Sequence, residues 1–266
     1  MILEQATLKT EVVPTEPVLG FVPSNWQART HCPELQDNEV HVWSADLDLD
    51  DWEIKSLRAV LSEREQARAD RFKFDKHRRR YIASRGRMRE LLGNYSGIRA
   101  ENLAFQYGER GKPSLPEKIN GVELKFNSTD SDEKALFAFA WEHELGIDLE
   151  CIPREVEHDD LADRYFAPEE AEALKTFPED KRQEAFLACW TRKEAFGKIE
   201  GIGIRYPLDS VCLCENLANP LYRVSSDQSI AGREWYLHQF QPGFDGVGTL
   251  AVSSEDVKIN YYHFQN

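Results

Sequence analysis

Two carboxylates stand two residues apart in the stretch GIDLE (146–150), which follows the apolar run ALFAFAW (135–141). Both stretches are typical of buried β-strands. Successive side chains of a strand point to opposite faces, so Asp148 and Glu150 share one face. Like charges side by side repel each other, and burying them without a partner costs several kcal/mol. The pair therefore requires a cation or exposure to water.

A third carboxylate lies in the stretch WTRKEAFGKIEG (190–201), which is typical of a helix. Trp190, Glu194 and Lys198 recur at i, i+4 and i+8 and fall along one side of that helix. Taken alone, Glu194 and Lys198 are consistent with an ordinary exposed helix pair. Taken with the two strand carboxylates, Glu194 would complete three hard oxygen ligands, which suit Mg²⁺ together with water and phosphate oxygens. The combination predicts a metal site that removes the repulsion.

Cations should line such a site if the substrate is a pyrophosphate. Arg80, Lys112 and Lys198 are the candidates. Between Arg71 and Arg89 the chain holds nine Lys or Arg against one Asp, although its formal net charge is −14. An alternative hypothesis makes this basic stretch a nucleic-acid contact surface. The net charge and the lack of any RNP, zinc-finger or helix-turn-helix signature argue against it.

Composition indicates a globular protein of one large or two small domains. Of 266 residues, 41% are hydrophobic and 30% charged, and no apolar run approaches the roughly 20 residues that a membrane span needs. The first residues lack the basic start and apolar stretch of a secretory signal. Five cysteines without a CxxC pair suggest neither a disulfide framework nor a zinc site, so we expect core thiols, with Cys212 and Cys214 on one strand face. A cytoplasmic protein without membrane contact is expected.

The periodicity of the chain predicts an α+β fold. We expect an extended N-terminal arm over residues 1–37, an N-terminal α+β lobe over 38–140 and a C-terminal α+β lobe over 141–266. Each lobe has helical patterns and alternating strand patterns, although no sequence repeat is visible. The predicted helices are 47–72, the basic stretch up to Gly97, a short one starting at Pro168, and 181–201. The predicted strands of the second lobe include DSVCLCE and VKINYYHF.

Six stretches together resemble the Sfp-type 4′-phosphopantetheinyl transferases in order and spacing. They are RFKFDKHRRRYIASRGRMRELLG, YGERGKP, FNSTDSD, GIDLE, RYFAPEE and WTRKEAFGKIEGIGI, and the resemblance spans about residues 66–209. It implies transfer of the phosphopantetheine arm of coenzyme A to a serine of an apo acyl or peptidyl carrier protein, with release of adenosine 3′,5′-bisphosphate. It also implies a monomer of two pseudosymmetric lobes, each a long helix on a small, mainly antiparallel sheet, with the active site between them.

The resemblance implies a role for each matching residue. Asp148, Glu150 and Glu194 would hold Mg²⁺, or Mn²⁺ in its place, on the coenzyme A pyrophosphate. Lys198 would contact the transferred phosphate and protonate the leaving oxygen. The base that takes the serine proton is left open between Glu194 and a water on the metal. Glu170 matches an acidic position of the family, but it also reads as an ordinary helix-start residue.

Four further positions are implied to contact coenzyme A. Arg80 corresponds to an arginine at the 3′-phosphate, Lys112 to a lysine on another phosphate, and Thr129 to a serine that positions the molecule. Asp130 stands where the family usually has a histidine that contacts a phosphate, and a carboxylate there cannot donate a hydrogen bond. Either coenzyme A is held differently, or Asp130 binds a cation such as Arg80. A non-transferring scaffold that binds coenzyme A or carrier is a third hypothesis.

The implied partner is a helical carrier protein whose modified serine precedes an acidic helix. Because this chain is itself acidic, we expect docking to depend more on apolar contacts than on charge steering. Basic residues near the site could still supply local charge complementarity.

Overall fold

The computed structural model describes residues 17–108, 111–152, 158–201 and 207–265, so the first 16 residues of the predicted arm lie outside the described residues. Within these ranges the chain is α+β, as predicted. The strands are β1 (Gln27–Arg29), β2 (Glu39–Asp46), β3 (Gln106–Tyr107), β4 (Pro113–Ser114), β5 (Leu124–Ser131), β6 (Lys134–Trp141), β7 (Leu145–Cys151), β8 (Leu221–Val224), β9 (Trp235–Phe240), β10 (Gly246–Val252) and β11 (Lys258–Phe264). The helices are α1 (Asp51–Ala59), α2 (Glu63–Ala69), α3 (Asp75–Ser96), α4 (His158–Tyr165), α5 (Pro168–Lys175) and α6 (Glu179–Ile199).

The strands form two main sheets. One has the order β1-β11-β2-β6-β5, the other has the order β7-β10-β9-β8, and β3 and β4 form a separate hairpin. The last strand, β11, runs parallel to β2 in the first sheet. The prediction that grouped all of 141–266 in one C-terminal lobe therefore needs correction for β11. The physical reason is its burial, because Tyr262 packs in the core beneath α1–α3 and Tyr261 packs between the two sheets.

The two sheets pack face to face, and helices cover their outer faces. On β6, Phe137 and Phe139 pack under α1–α3, whereas Leu136 and Ala138 face the second sheet. The outer face of the second sheet is covered by α4–α6. The layers are therefore helix, sheet, sheet, helix, which explains why ALFAFAW is apolar at every position.

The same order of elements occurs twice. A first unit runs β2, α1–α3, β5, β6, and a second unit runs β7, α4–α6, β9, β10, with the additional strand β8 preceding β9. In each unit the first strand pairs antiparallel with the last one, which also pairs antiparallel with the strand before it. We call these the N-terminal unit and the C-terminal unit. Their topologies correspond although their residues show no repeat.

The N-terminal unit has one more helix boundary than predicted. Instead of one helix over 47–72, α1 and α2 are separate, and Ser62 begins the second. The backbone N–H of Ser62 donates to Glu65 Oε2 (2.9 Å), and the N–H of Glu65 donates weakly to the Ser62 hydroxyl (3.4 Å). The first backbone N–H groups of a helix have no carbonyl partner within that helix. This capping box supplies acceptors for two such groups and so allows a new helix to begin at Ser62. Gly97 ends α3 at a φ of 72°, as predicted.

The cysteine prediction needs correction in the C-terminal unit. Cys189 on α6 and Cys214 are joined in a disulfide, although both are buried as expected. The stretch DSVCLCE (209–215), predicted as a strand, is instead the end of a short 3-10 helix (Leu208–Ser210) and an irregular segment, whose backbone carbonyls accept hydrogen bonds from Arg192 and Lys193. Across the described ranges, no helix is both long enough and apolar enough to cross a membrane.

Candidate active site

The strand β7 and the helix α6 approach each other closely at Gly146. A Cβ atom at this position would lie 2.1 Å from the carbonyl oxygen of Ala195 and 2.7 Å from the backbone nitrogen of Ile199. Only glycine permits this contact. Alternation along β7 places Asp148 and Glu150 on the same face as Gly146, toward α6, and both are buried. The glycine of GIDLE therefore sets the spacing that brings the two carboxylates to the helix.

The carboxylate of Asp148 has one bound oxygen and one unbound oxygen. Its Oδ1 accepts hydrogen bonds from the Thr129 hydroxyl (3.1 Å) and from Lys198 Nζ (2.7 Å). Lys198 also donates to the carbonyl oxygen of Ile147 (2.9 Å). The second oxygen, Oδ2, is buried with no hydrogen-bond partner among the described residues. One side of this carboxylate is thus fixed while the other remains available to a ligand.

Side chains of β5 hold the outer edge of β7. The Ser131 hydroxyl donates to Glu150 Oε2 (3.0 Å), and Asn127 Oδ1 accepts from the backbone N–H of Ile147 (2.8 Å). Together with Thr129, these residues occupy every second position of β5 and face β7. Asn127 and Ser131 were not predicted as site residues, although the alternation of FNSTDS was a signal that could have identified them.

Glu194 on α6 completes the carboxylate cluster. It is 9% exposed, and its Oε1 is buried with no partner in the part of the chain that is described. Burial, and next the negative charge of Asp148, raise the pKa of Glu194 to about 7. Lys198 donates to Asp148 and not to Glu194, so the interpretation of Glu194 and Lys198 as an exposed helix pair is wrong.

The donor chemistry of these three residues suits a divalent cation. Asp148 and Glu194 each carry a buried oxygen that no described residue binds. A water molecule could hydrogen-bond to these oxygens but could not cancel the repulsion between their charges. Three carboxylates form the hard oxygen donor set that Mg²⁺ and Mn²⁺ prefer. Glu150 lies on the same strand face and interacts electrostatically with Glu194, so the three predicted ligands face one region, although their oxygens do not all lie within 4.8 Å of one another.

Lys112 lies away from the carboxylates. Its Nζ donates to the carbonyl oxygens of Leu145 (2.8 Å) and Lys198 (3.1 Å), and burial lowers its pKa. It therefore links the β3–β4 hairpin to the start of β7 and the end of α6. The structure brings Lys198 to the carboxylate cluster and places Lys112 at the opposite end of the strand from Glu150.

Arg80 on α3 is bound by three acidic side chains. It makes a two-pronged contact to Asp48 (2.6 and 2.7 Å) and lies 3.5 Å from Glu133 and 4.0 Å from Asp132. The hydrogen bond from Arg80 lowers the pKa of Asp48, and the same bond raises the pKa of Arg80. A phosphate arriving at this guanidinium would meet negative charge as well as positive.

Asp130 is not among the partners of Arg80. Its side chain is exposed, and strand alternation places it on the opposite face of β5 from Thr129. The alternative in which Asp130 binds Arg80 is therefore wrong for the described contacts. Of the two positions implied to contact coenzyme A on β5, Thr129 reaches the carboxylate cluster and Asp130 does not.

A buried ion pair next to Glu194 was not predicted. Lys193 Nζ lies 2.6 Å from Glu170, and both side chains are almost completely buried. Glu170 also accepts the backbone N–H groups of Ala167 (3.0 Å) and Leu213 (2.7 Å). Glu170 thus does more than begin α5, because it joins the start of that helix to α6 and to the segment that follows it.

Two family profiles match adjacent parts of this chain. The 4′-phosphopantetheinyl transferase superfamily matches residues 144–253, and a profile of the N-terminal part of 4′-phosphopantetheinyl transferases matches residues 48–143. The 4′-phosphopantetheinyl transferase HetI of a Nostoc species is 34% identical over 230 residues, which are 86% of this chain and 94% of that protein. The 4′-phosphopantetheinyl transferase Sfp of Bacillus subtilis is 26% identical over 159 residues, which are 59% of this chain and 68% of that protein. The human L-aminoadipate-semialdehyde dehydrogenase-phosphopantetheinyl transferase is 25% identical over 220 residues, 79% of this chain and 66% of that protein.

The chain belongs to the 4′-phosphopantetheinyl transferase superfamily. The resemblance seen in the sequence and the expected transferase activity are confirmed at this level. The two profiles meet between residues 143 and 144, in the turn between β6 and β7. This is the point where the chain passes from the N-terminal unit to the C-terminal unit and begins the strand that carries the carboxylates.

Proposed function

We propose that this transferase moves the 4′-phosphopantetheine arm of coenzyme A to a serine of an apo acyl or peptidyl carrier protein and releases adenosine 3′,5′-bisphosphate. The observation that carries this proposal is the cluster of Asp148, Glu150 and Glu194, with its two buried, unpartnered oxygens. The donor set suits Mg²⁺ or Mn²⁺, and these cations suit a pyrophosphate. The site would lie where β5, β7 and α6 meet, between the two units.

The contribution of the protein to this site is to hold the three carboxylates in fixed orientations. Bound there, Mg²⁺ would neutralise negative charge on the pyrophosphate oxygens. Thr129 and Lys198 orient Asp148, Ser131 orients Glu150, and the rigid helix α6 carries Glu194. Transfer of a phosphoryl-type group depends mainly on positioning the reactants and on neutralising charge on the phosphate oxygens. Metal ligands with fixed orientations serve both purposes.

Lys198 is the proposed acid. Its ammonium group lies 2.7 Å from Asp148 Oδ1, which places it beside any phosphate held at the cluster. From there it could contact the transferred phosphate and protonate the leaving oxygen. The base for the proton of the carrier serine stays open between Glu194, whose Oε1 has no partner among the described residues, and a water on the metal.

Arg80 is proposed to bind the 3′-phosphate of coenzyme A. It pairs with Asp132 and Glu133, which follow Ser131, and the Ser131 hydroxyl reaches Glu150. The guanidinium therefore lies toward the Glu150 end of β7, within reach of a nucleotide whose pyrophosphate is at the cluster. The contacts of Lys112 and Asp130 with phosphates of coenzyme A, which the resemblance implies, remain predictions.

The proposed partner is a carrier protein, and one copy of this chain is proposed to be sufficient. All three carboxylates and all three candidate cations belong to a single chain. We also propose a cytoplasmic location for this transferase. No nucleic acid is part of the proposal, because buried or paired arginines dominate the inner face of α3.

The decisive experiment combines purified protein, coenzyme A, MgCl₂ and a panel of apo carrier proteins, with intact-mass spectrometry of each carrier. We expect the mass of one phosphopantetheine arm on at least one carrier, no adduct when EDTA replaces the metal, and no adduct with Asp148→Asn. Asp256→Asn serves as the matched control, since this exposed carboxylate lies in the loop between β10 and β11, and it should retain most of the activity.

Absence of an adduct with fatty-acid, polyketide and peptide carriers alike would contradict the proposed function. Tight binding of coenzyme A in the same preparation, measured by calorimetry, would then favour the non-transferring scaffold. Full activity in EDTA would instead remove the divalent cation from the proposal and leave the transfer itself intact.

A further inference from the structure

An open cavity of about 510 Å³ lies between the two units, beside the carboxylate cluster. The hairpin and β5 line it from the N-terminal unit, with Lys112, Pro113 and Phe126 among the lining residues. The start of β7 and the end of α6 line it from the C-terminal unit. Leu145 in its wall precedes Asp148 by three strand residues, or about 10 Å. A molecule bound at the carboxylates could therefore extend into this cavity.

The charged groups of the cavity are already paired within the protein. Lys112 donates to two backbone carbonyls, and Lys125 lies 2.5 Å from Glu123 and 2.7 Å from Glu144. Glu200, the remaining charged lining residue, accepts three hydrogen bonds. The rest of the lining is largely apolar: Pro113, Leu124, Phe126, Leu145 and Ile230. Such a lining suits an uncharged, partly apolar group and offers no free cation for a phosphate.

Glu200 holds one wall of this cavity in place. Its carboxylate accepts from the Ser229 hydroxyl (2.5 Å), the backbone N–H of Ala231 (3.0 Å) and the indole N–H of Trp235 (2.5 Å). Glu200 is also the C-cap residue of α6, where the helix dipole disfavours a negative charge. The three donors outweigh that disadvantage, and they fix the residue between Ser229 and Ala231. This residue is Ile230, which lines the cavity with 63% of its side chain exposed.

We propose that Ile230 is a specificity-determining residue that packs on an uncharged part of the donor coenzyme A, and that Glu200 is the residue that positions it. The inference rests on the proposed function for the identity of the donor. Coenzyme A has two uncharged parts, the adenine ring and the pantetheine arm, and the chemistry of the lining suits either. The exposed side chain of Ile230 lies in the cavity wall, so it is available to contact a molecule bound there.

The first test measures steady-state kinetics with Ile230→Ala, Glu200→Ala and Glu200→Gln. We expect KM for coenzyme A to rise about tenfold in the first two variants, with kcat within about twofold of wild type. Glu200→Gln should be intermediate, since its amide oxygen can still accept. The double variant should be no worse than either single one, because both changes remove the same contact. Leu221→Ala, another exposed aliphatic residue that does not line the cavity, is the matched control.

The second test measures binding directly and does not depend on transfer. Calorimetry with adenosine 3′,5′-bisphosphate and with 4′-phosphopantetheine distinguishes the two parts of the donor. Weakened binding of either one in Ile230→Ala supports the proposal and identifies the part that enters the cavity. Unchanged binding of coenzyme A and of both fragments overturns it. A rise in KM for the carrier alone overturns it as well, since the wall would then belong to a carrier surface. Failure of the transfer assay with wild type, but with coenzyme A binding that depends on Ile230, would reject the proposed function and keep this inference.

Discussion

Each unit holds a buried cation in the middle of its long helix, and the two cations are bound in the same way. Arg89 on α3 pairs with Glu65 on α2, and Lys193 on α6 pairs with Glu170 on α5. Each glutamate also accepts the backbone N–H of the residue three positions before it. Each cation donates in addition to two carbonyl oxygens of the segment after its helix. The two units therefore share one internal clamp.

The residue that follows each cation is a glutamate, and here the two units differ. Glu90 on α3 is partly exposed and is paired with Arg87 at 3.0 Å. Glu194 on α6 is buried, and one of its oxygens has no partner among the described residues. The same position on the same scaffold is neutralised inside the N-terminal unit and left available in the C-terminal unit.

The strands beneath the two long helices also differ in the side chains that face the helix. On β2, the ring nitrogens of His41 and Trp43 lie 2.8 and 2.7 Å from the hydroxyl of Tyr95 on α3. On β7, Asp148 and Glu150 face α6 instead. One unit fills the space between strand and helix with rings that hydrogen-bond to each other, and the other fills it with carboxylates. The fold therefore tolerates buried carboxylates in a place where its sister unit has hydrogen-bonded rings.

The clamp predicts the largest change in stability. Lys193→Met should lower the free energy of unfolding by about 3 to 5 kcal/mol, because Glu170 would remain buried without its partner. Arg89→Met should cost a similar amount through Glu65. Urea unfolding followed by tryptophan fluorescence measures both. The comparison adds that Lys193→Met should also lower kcat, since the cation precedes Glu194, whereas Arg89→Met should leave kcat of the folded fraction unchanged.

The double variant Lys193→Met/Glu170→Leu tests the cause of this loss. Replacing both partners by apolar residues removes the unpaired charge, so most of the lost stability should return. No recovery would show that the hydrogen bonds from Lys193 to the two carbonyl oxygens matter more than the ion pair.

Substitution of the equivalent residues Glu194 and Glu90 should have opposite effects on activity and on stability. Glu194→Gln should lower kcat/KM at least about 100-fold, in line with the loss of one fixed charged group from a transfer site. Without metal, its melting temperature should equal or exceed that of wild type at pH 8, because a buried carboxylate with a raised pKa is destabilising when ionised. Glu90→Gln is the control and should do the reverse, with a small loss of stability and unchanged activity. Equal effects of both variants on activity would contradict the comparison.

Much of this site could be predicted from short-range patterns. Strand alternation put Asp148 and Glu150 on one face, helical spacing put Glu194 and Lys198 on one side, and these signals depend on neighbours in sequence. The break before α2 was also visible in principle, since Ser62 and Glu65 have capping-box spacing. Local patterns therefore carried the carboxylate cluster and most helix boundaries.

The parts that sequence could not supply depend on contacts between distant residues. Glu65 and Arg89 are 24 residues apart on different helices, so nothing in their surroundings marks them as a pair. The same holds for the pairing of β11 with β2 across the whole chain, and for Lys112, which the structure uses to bind backbone carbonyls. The sequence singled out Arg80, but it could not indicate the three acidic partners of this side chain, which come from two other segments.

Two histidines, the buried His41 and the half-buried His238, lie one in each main sheet and predict a difference in pH dependence. Burial lowers the pKa of His238 from 6.5 to about 4, and its Nε2 has no partner among the described residues. The unfolded chain therefore binds more protons between pH 6.5 and 4, so stability falls as pH falls through that window and then levels off. This group should contribute a loss of about 2 to 3 kcal/mol by pH 4.5. Urea unfolding of wild type and His238→Leu at pH 7.5 and 4.5 measures the difference.

His41 supplies the comparison for that measurement. Burial lowers its pKa too, but the carboxylate of Glu39 opposes the shift. His41→Gln should therefore change the slope of stability against pH less than His238→Leu does. A larger change for His41→Gln would show that Glu39 does not stabilise the protonated imidazole in the folded protein.

A smaller activity effect is expected at Arg80, because its charge is already shared with three acids. Arg80→Gln should raise KM for coenzyme A about tenfold and leave KM for 3′-dephospho-coenzyme A nearly unchanged, if the guanidinium contacts the 3′-phosphate. The control is Arg79→Gln, whose neighbouring guanidinium pairs with Asp51. An equal rise in KM for coenzyme A and for 3′-dephospho-coenzyme A would mean that Arg80 stabilises α3 and does not bind the 3′-phosphate.

Asp48→Asn tests the same contact between Arg80 and the 3′-phosphate, but here KM for coenzyme A is expected to fall. The amide keeps an oxygen that accepts from Arg80, so the guanidinium should stay in place while one negative charge beside it disappears. An arriving 3′-phosphate would then meet less repulsion, and KM for coenzyme A should fall by about two- to fourfold, the scale of one half-exposed charge. The effect should shrink in 0.5 M NaCl and vanish with 3′-dephospho-coenzyme A. A higher KM in this variant would mean that Asp48 holds Arg80 in its binding position more than it competes with the phosphate, and the acids around Arg80 would then be supports of the site.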